Sequence, residues 1–240
     1  MREEPGFLDR LAKLLYAVAS VMVLYGVGFL VINLPAFPLR EIRVNGELAH
    51  LTREQIQLVI SRELKGNFFT LDLHRARVAF EKLPWVRSVS VRRTWPDRLD
   101  VTLEEHVTLA RWGTLALVNT YGELFQAAAP GEYPVFIGPA DSVKEVTEHY
   151  HLFNKALQPA RLKPAQVMLT PRRAWQVKTE SGLVIELGRD HARERLDRFV
   201  AVYDRSVGKN PAWVASVDLR YVNGFAARLK PGAPGERKQQ

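Results

Sequence analysis

From residue 14 to residue 34 the chain is apolar almost throughout and carries no charge, and no other stretch of the sequence does so at that length. A helix rising about 1.5 Å per residue crosses about 30 Å over such a run, the thickness of one bilayer core. Asn33 is its only strongly polar side chain and sits at one end, and Pro35 and Pro38 stop a helix there. A cleaved leader would have a shorter apolar core, about 7–15 residues, followed by a small-x-small cleavage site. Asn33-Leu34-Pro35-Ala36-Phe37 offers no such site. The pattern therefore predicts an uncleaved, single-pass membrane anchor over residues 14–34, behind a tail of residues 1–13. Arg2, Arg10 and Lys13 precede it and Arg40, Arg43 and Arg53 follow it, too even a split for the positive-inside rule to orient the chain.

Past the anchor the period shortens. Arg40-Glu41-Ile42-Arg43-Val44 alternates like a strand and ends at the turn dipeptide Asn45-Gly46. Thr52 and Gln55 fit a capping box, and Ile56, Val59, Ile60 and Leu64 follow at helical spacing. Asp72 is placed to cap a second helix with the stripe Leu73, Ala76, Phe80 and Leu83, broken by Pro84. Val89 and Val91, then Leu99, Val101 and Leu103, alternate with polar residues on either side of a Trp95-Pro96-Asp97 turn. Residues 40–105 thus read β-α-α-β-β, with the valines and leucines of the strands facing the two helical stripes.

The remainder has another rhythm. Short strands are expected at 115–119 and 123–125, then a loop marked by Pro130, Pro134 and Pro139. Val143, Val146, Tyr150, Phe153 and Leu157 line one helical face, and Leu196, Phe199, Val200, Tyr203 and Val207 line another. Strands are expected at 167–169, 174–179 and 183–187, the last two forming a hairpin at Ser181-Gly182. A closing strand runs from Val214 to about Tyr221 and resumes after Asn223-Gly224 over residues 225–229. The fold class is α+β, with a transmembrane helix, the β-α-α-β-β unit over residues 37–106, and a mixed α/β domain with an extended antiparallel sheet over residues 107–229. Residues 230–240, rich in Pro, Gly and charge, read as a disordered tail.

A hydrophobic content of 47% and a charged content of 25% suit a globular core beyond the anchor. The net charge of +8 comes from scattered basic residues, which favours attraction to an anionic membrane or cell-wall polymer over nucleic-acid binding. The complete lack of cysteine suits an oxidising compartment.

Enzyme chemistry finds no constellation of residues to carry it. Of the six histidines only His149 and His151 are close, and two positions apart on a helix they do not share a face. A metal site needs three or four convergent ligands. There is no cysteine nucleophile, and Ser181-Gly182 reads as a turn outside any nucleophile elbow. Glu104 and Glu105 are adjacent on a strand and so point to opposite faces. The glycines build no phosphate cradle. The sequence assigns no catalytic, cofactor or metal residue and no small-molecule substrate.

The segment Val91-Arg92-Arg93-Thr94-Trp95-Pro96-Asp97-Arg98-Leu99, with Leu83-Pro84-Trp85-Val86 before it, resembles the end of a POTRA domain in the bacterial cell-division family FtsQ/DivIB. Ala110-Arg111-Trp112, Tyr121-Gly122-Glu123-Leu124-Phe125, Pro134-Val135-Phe136-Ile137-Gly138-Pro139 and Val217-Asp218-Leu219-Arg220-Tyr221 with Asn223-Gly224 continue the likeness in the family's order. The resemblance implies a type II protein of the inner membrane at the division septum, with a POTRA domain, a distal β domain and the bulk of the chain in the periplasm. It implies a non-enzymatic scaffold that recruits or links septal proteins of the FtsB and FtsL type. Two departures stand out: Thr108 lies where the family often has proline, and Leu229 where it often has tryptophan. The alternative is a membrane-anchored periplasmic enzyme acting on cell-wall polymer, with the POTRA unit as a docking module.

A scaffold needs a contact surface, and the closing strand is the natural one. Residues 218–225 precede the expected tail and can be the last strand of a sheet, with backbone groups that a partner strand takes up. Arg220 and Tyr221 have hot-spot chemistry, and Gly224 lets another backbone approach closely. Asn223 and Phe225 complete the expected partner-binding segment. The resemblance adds Arg172 as a further contact.

Overall fold

In the computed structural model, which describes residues 5–33 and 37–233, the apolar run forms helix α1 (Pro5–Asn33). Its segment Asp9–Val31 is long and apolar enough to cross a membrane, with a hydropathy of 2.2 and no burial against the rest of the protein. The helix begins well before residue 14; Pro5 suits its first turn, and Lys13 pairs with Asp9 one turn back at 3.4 Å. The expected stop at Pro35 and the tail beyond residue 233 lie outside the described residues. The chain divides into two compact units, Met1–Glu105 and His106–Gln240.

The first unit contains β1 (Glu41–Asn45), α2 (Arg53–Glu63), α3 (Leu73–Glu81), β2 (Val86–Thr94) and β3 (Arg98–Glu105). Strand β3 lies in the middle of a three-stranded sheet, parallel to β1 and antiparallel to β2. The capping box forms as expected: Thr52 Oγ1 accepts from the Gln55 N–H at 3.3 Å, and Gln55 Oε1 accepts from the Thr52 N–H at 3.1 Å. Asp72 caps α3 through the Arg75 N–H at 3.0 Å, a bond of the kind that contributes about 1 kcal/mol. Leu99, Val101 and Leu103 of β3 are fully buried against Ile56 and Phe80, with Val59, Ile60, Leu73, Val89 and Val91 partly buried around them. The strand face read from the alternation is the one buried against the helices.

Glu105 ends β3 as a buried carboxylate. It accepts the backbone N–H groups of Ala49 at 3.2 Å, His50 at 3.1 Å and Leu51 at 2.9 Å, and the His50 ring at 2.9 Å. The His50 ring in turn stacks on Trp85 at 3.6 Å. Burial alone would raise the Glu105 pKa, but these hydrogen bonds, the His50 ring first, outweigh it and hold the carboxyl below its ordinary value. Glu104 turns the other way, to Arg87 at 2.9 Å and Ser88 at 2.8 Å.

The second unit runs β4 (Thr108–Trp112), β5 (Ala116–Asn119), β6 (Leu124–Phe125), β7 (Val135–Ile137), α4 (Val143–Leu157), β8 (Pro164–Leu169), β9 (Trp175–Thr179), β10 (Val184–Gly188), α5 (Ala192–Tyr203), β11 (Val214–Asp218) and β12 (Ala226–Leu229). They form one nine-stranded sheet in the order β12-β11-β10-β9-β8-β7-β4-β5-β6. The extended sheet is mixed: β4/β7, β7/β8 and β10/β11 are parallel neighbours, the others antiparallel. Two of these parallel pairs follow from the helices, since α4 returns the chain from β7 to β8 and α5 from β10 to β11. The apolar faces of both helices, Val146, Phe153 and Leu157 on α4 and Leu196 and Phe199 on α5, close one core with Phe136, Val167, Val177, Ile185 and Val217.

The expected closing strand is corrected here. Strand β11 stops at Asp218, residues 219–225 form a connection, and β12 folds back antiparallel to make the sheet edge. The reversal is spread over this seven-residue connection, and neither Asn223 nor Gly224 takes the positive φ of a two-residue hairpin turn.

Two outcomes test the first unit. Val101→Asp places an unpaired carboxylate at a fully buried position and should cost several kcal/mol, read as loss of the cooperative melt. Glu105→Gln should lower stability at neutral pH by about 1–3 kcal/mol, the cost of a broken buried charge-assisted network, read as a lower melting temperature. A depressed folded pKa gives stability that is complete above the unfolded value of about 4.3 and is lost as pH falls through the folded value. The gap between the two proteins should therefore shrink below pH of about 4, and a gap that is constant from neutral to acid pH would rule out the ionised carboxylate as its source.

Candidate functional site

The candidate contact surface lies at the β12 edge. Val214, Ser216, Val217 and Asp218 of β11 face Leu229, Arg228, Ala227 and Ala226 of β12, with a register shift between Val214 and Ser216. The Lys230 N–H donates to the Trp213 carbonyl at 2.7 Å. Strand alternation then turns the amides of Arg228 and Ala226 toward β11 and those of Ala227 and Leu229 outward. No described strand pairs with that outer side, and all four residues of β12 are exposed.

The loop 219–225 borders this edge. Arg220 folds back on Asp218: its backbone N–H donates to Oδ1 at 3.0 Å, Nε to Oδ1 at 2.9 Å and Nη2 to Oδ2 at 2.6 Å. The Arg220 side chain beside it holds the Asp218 carboxyl below its ordinary pKa against partial burial, and Asp218 raises that of Arg220. Arg220 is thus paired locally and shapes the loop. Tyr221 is 59% exposed and Val222 78%, so an aromatic and an aliphatic side chain face solvent side by side. Asn223 is exposed, and a Cβ at Gly224 would meet no atom within 4 Å. Phe225 turns partly inward and packs edge-on against Phe199 at 5.4 Å.

Behind the loop, between it and α5, lies a largely apolar cleft of about 500 Å³ lined by Arg195, Arg198, Phe199, Val202, Val222 and Gly224, among others. Arg198 Nη1 donates to the Val222 carbonyl at 3.0 Å and Arg195 Nη1 to the Leu187 carbonyl at 2.6 Å. Neither arginine was expected from the sequence. The signal that could have found them is their spacing of three, which puts both on the helical face next to the Phe199 stripe.

Arg172 stands apart. It is exposed in the turn between β8 and β9, next to Arg173, which has φ 62° and pairs with Glu145 at 2.7 Å. Trp175 aligns with Gly188, Glu186 with Asp218 and Asp218 with Ala226, so the turn lies at the same end of the sheet as loop 219–225. Three strand spacings, about 14 Å, separate β9 from β12. The fold thus gathers Arg220, Tyr221, Asn223, Gly224 and Phe225 and leaves Arg172 on the same rim without contact.

Among the described residues no group of three or more His, Cys, Asp or Glu is placed to hold a metal ion. His149 packs instead, stacking on Trp175 at 4.1 Å with its Nδ1–H on the Glu145 carbonyl at 2.9 Å.

Residues 37–106 match the FtsQ-type POTRA domain, and residues 110–220 match the C-terminal domain of the cell division protein FtsQ/DivIB. The cell division protein FtsQ of Nitrosospira multiformis is 47% identical over 226 residues, which cover 92% of this chain and 96% of the relative. FtsQ of Burkholderia pseudomallei is 43% identical over 228 residues, 92% of this chain and 91% of the relative. The chain belongs to the FtsQ/DivIB family. The likeness extends to FtsQ of Neisseria meningitidis, 30% identical over 236 residues that cover 97% of this chain and all of that protein. The β-α-α-β-β unit is accordingly a POTRA domain of the FtsQ type. The C-terminal family match ends at Arg220, before the exposed turn and β12.

Because Tyr221 and Gly224 hold none of the core, Tyr221→Ala and Gly224→Val should leave stability within about 0.5 kcal/mol, as surface changes do. Phe225→Ala should lower the melting temperature by removing the contact with Phe199. Thermal melts of the three variants, compared side by side, check the division of the loop into outward and inward residues.

Proposed function

We propose that the protein is a non-enzymatic scaffold of the divisome, held in the inner membrane by α1 with both folded units in the periplasm. In this reading it recruits or links septal proteins of the FtsB and FtsL type by accepting an extended segment of a partner along β12. Membership of a cell-division family supports the setting. The observation that carries the mechanism is the open edge: the amides of Ala227 and Leu229 point away from β11, and Ala226 and Ala227 are small enough to let a second backbone approach. Tyr221 supplies an exposed aromatic anchor at one end, and Gly224 leaves open space beside it. The cleft behind the loop suits an apolar side chain carried by the same partner, and Arg172 an acidic group further along the rim. A wall-acting enzyme would need a convergent acid/base or metal set, and no observation favours that reading.

Ala227→Pro tests the mechanism. It removes an outward N–H and leaves the ladder to β11 intact, as proline does on edge strands. Capture of FtsB- and FtsL-type partners by the full-length chain should fall, while melting stays near that of the parent. Tyr221→Ala should weaken capture by about 30-fold, the equivalent of a 2 kcal/mol hot spot, and Gly224→Val should hinder the partner backbone. Arg77→Ala on α3 is the control and should have no effect. Normal capture by Ala227→Pro with folding intact would remove strand addition from the mechanism.

A further inference from the structure

The POTRA unit leaves three aromatic side chains exposed to solvent. Phe68 is buried in the core, whereas its neighbour Phe69 is 44% exposed. Phe69 is not on a loose loop: Asn67 Oδ1 accepts the Phe69 N–H at 3.0 Å and the Thr70 N–H at 2.9 Å. Its ring meets Phe37 edge-on at 5.1 Å, and the Phe68 N–H donates to the Phe37 carbonyl at 3.0 Å. Phe37 is itself 37% exposed, and Trp95, at the tip of the β2–β3 hairpin, is 80% exposed.

Hydrogen bonds bring the segments that carry them to one pole. Arg93 Nη2 donates to the carbonyls of Phe69 and Leu71, which ties the end of β2 to the Phe69 loop. The Arg40 N–H donates to the Asp97 carbonyl at 3.0 Å, which ties the turn beyond Trp95 to the segment after Phe37. Exposed basic residues adjoin these segments along the chain: Lys65 before the Phe69 loop, Arg92 before Trp95, and Arg40, whose side chain approaches Asp97 only at 3.8 Å. Phe37 also follows the end of α1 by four positions, so at about 3.8 Å per step the pole cannot leave the membrane surface by much more than 15 Å.

We propose that this pole, formed by Phe37, Phe69 and Trp95 with the adjoining basic residues, rests in the headgroup layer of the bilayer that α1 spans. The amphipathic ring of Trp95 is of the kind that sits at headgroup level, phenylalanine rings beside it bury into the boundary with the acyl chains, and arginine and lysine nearby meet anionic lipid phosphates. The contact makes the POTRA unit a second membrane attachment, independent of the β12 edge. It rests on the reading of α1 as a membrane anchor, so the test has to separate the two.

The chain contains no cysteine, so single cysteines can be placed and labelled with an environment-sensitive fluorophore. Phe69→Cys and Trp95→Cys report on the pole, and each leaves the other two aromatics in place. Glu47→Cys reports on the opposite pole: β1 leads away from the membrane side, and the exposed Glu47 lies just past its far end, about 20 Å from its start. Val23→Cys reports on α1. The full-length protein is reconstituted in phosphatidylethanolamine–phosphatidylglycerol vesicles with lipids spin-labelled either at the headgroup or deep in the acyl chain. Labels at Phe69 and Trp95 should lose most of their emission to headgroup-labelled lipid, the label at Glu47 should not, and the label at Val23 should be quenched by acyl-labelled lipid. Quenching at Val23 with Phe69 and Trp95 no more quenched than Glu47 would overturn the proposal and leave the anchor standing. Absence of quenching at Val23 would overturn the anchor and the proposal with it.

Discussion

The candidate site depends on the parallel pairing of β11 with β10. A parallel neighbour cannot be reached by a tight turn, so the chain must cross over between the two strands, and α5 is that crossover. The buried Val217 and Leu219 hold β11 to the core beneath it, and the Leu219 N–H extends the pairing to the Glu186 carbonyl at 2.9 Å. Only with β11 fixed in this way does β12 have a strand to fold back on. The same crossover supplies the wall of the cleft, because the face of α5 that buries Leu196 and Phe199 brings Arg195 and Arg198 up to loop 219–225.

Much of the POTRA unit was legible because its signals are local. Thr52 and Gln55 announce a helix start three residues apart, and Leu99, Val101 and Leu103 alternate over five positions. The break after Asp218 was hidden because Leu219 and Tyr221 continue an alternation that reads as strand. What ends the strand is a side chain competing for the backbone: Asp218 Oδ1 accepts the Arg220 N–H two residues on. The parallel neighbours were equally hidden, since periodicity says which face of a strand is buried and nothing about its partner. The exposed Tyr221 was readable as chemistry, but its exposure became visible only with the turn.

The two departures from the family pattern also take physical form. Thr108, where the resemblance leads to the expectation of proline, has a buried hydroxyl with no hydrogen-bond partner among the described residues. A hydroxyl left so is a small stability loss that an isosteric apolar side chain would relieve. Leu229, where the resemblance leads to the expectation of tryptophan, lies on β12 and is only marginally exposed, so its contribution to that edge is backbone as much as side chain. The exposed aromatic side chain of this region is Tyr221, in the loop before β12.

Strand β12 is four residues long and half alanine. Short edges of this kind give a second copy of the chain too few backbone bonds to hold by themselves, which is how natural sheets avoid sticking to one another. The exposed Arg228 adds like-charge repulsion when two such edges meet. Brevity and charge together work against pairing of one such edge with another. Under the proposed strand addition, the same brevity sets selectivity: four residues of backbone hold little by themselves, so a partner segment would also have to bring matching groups to the flanks.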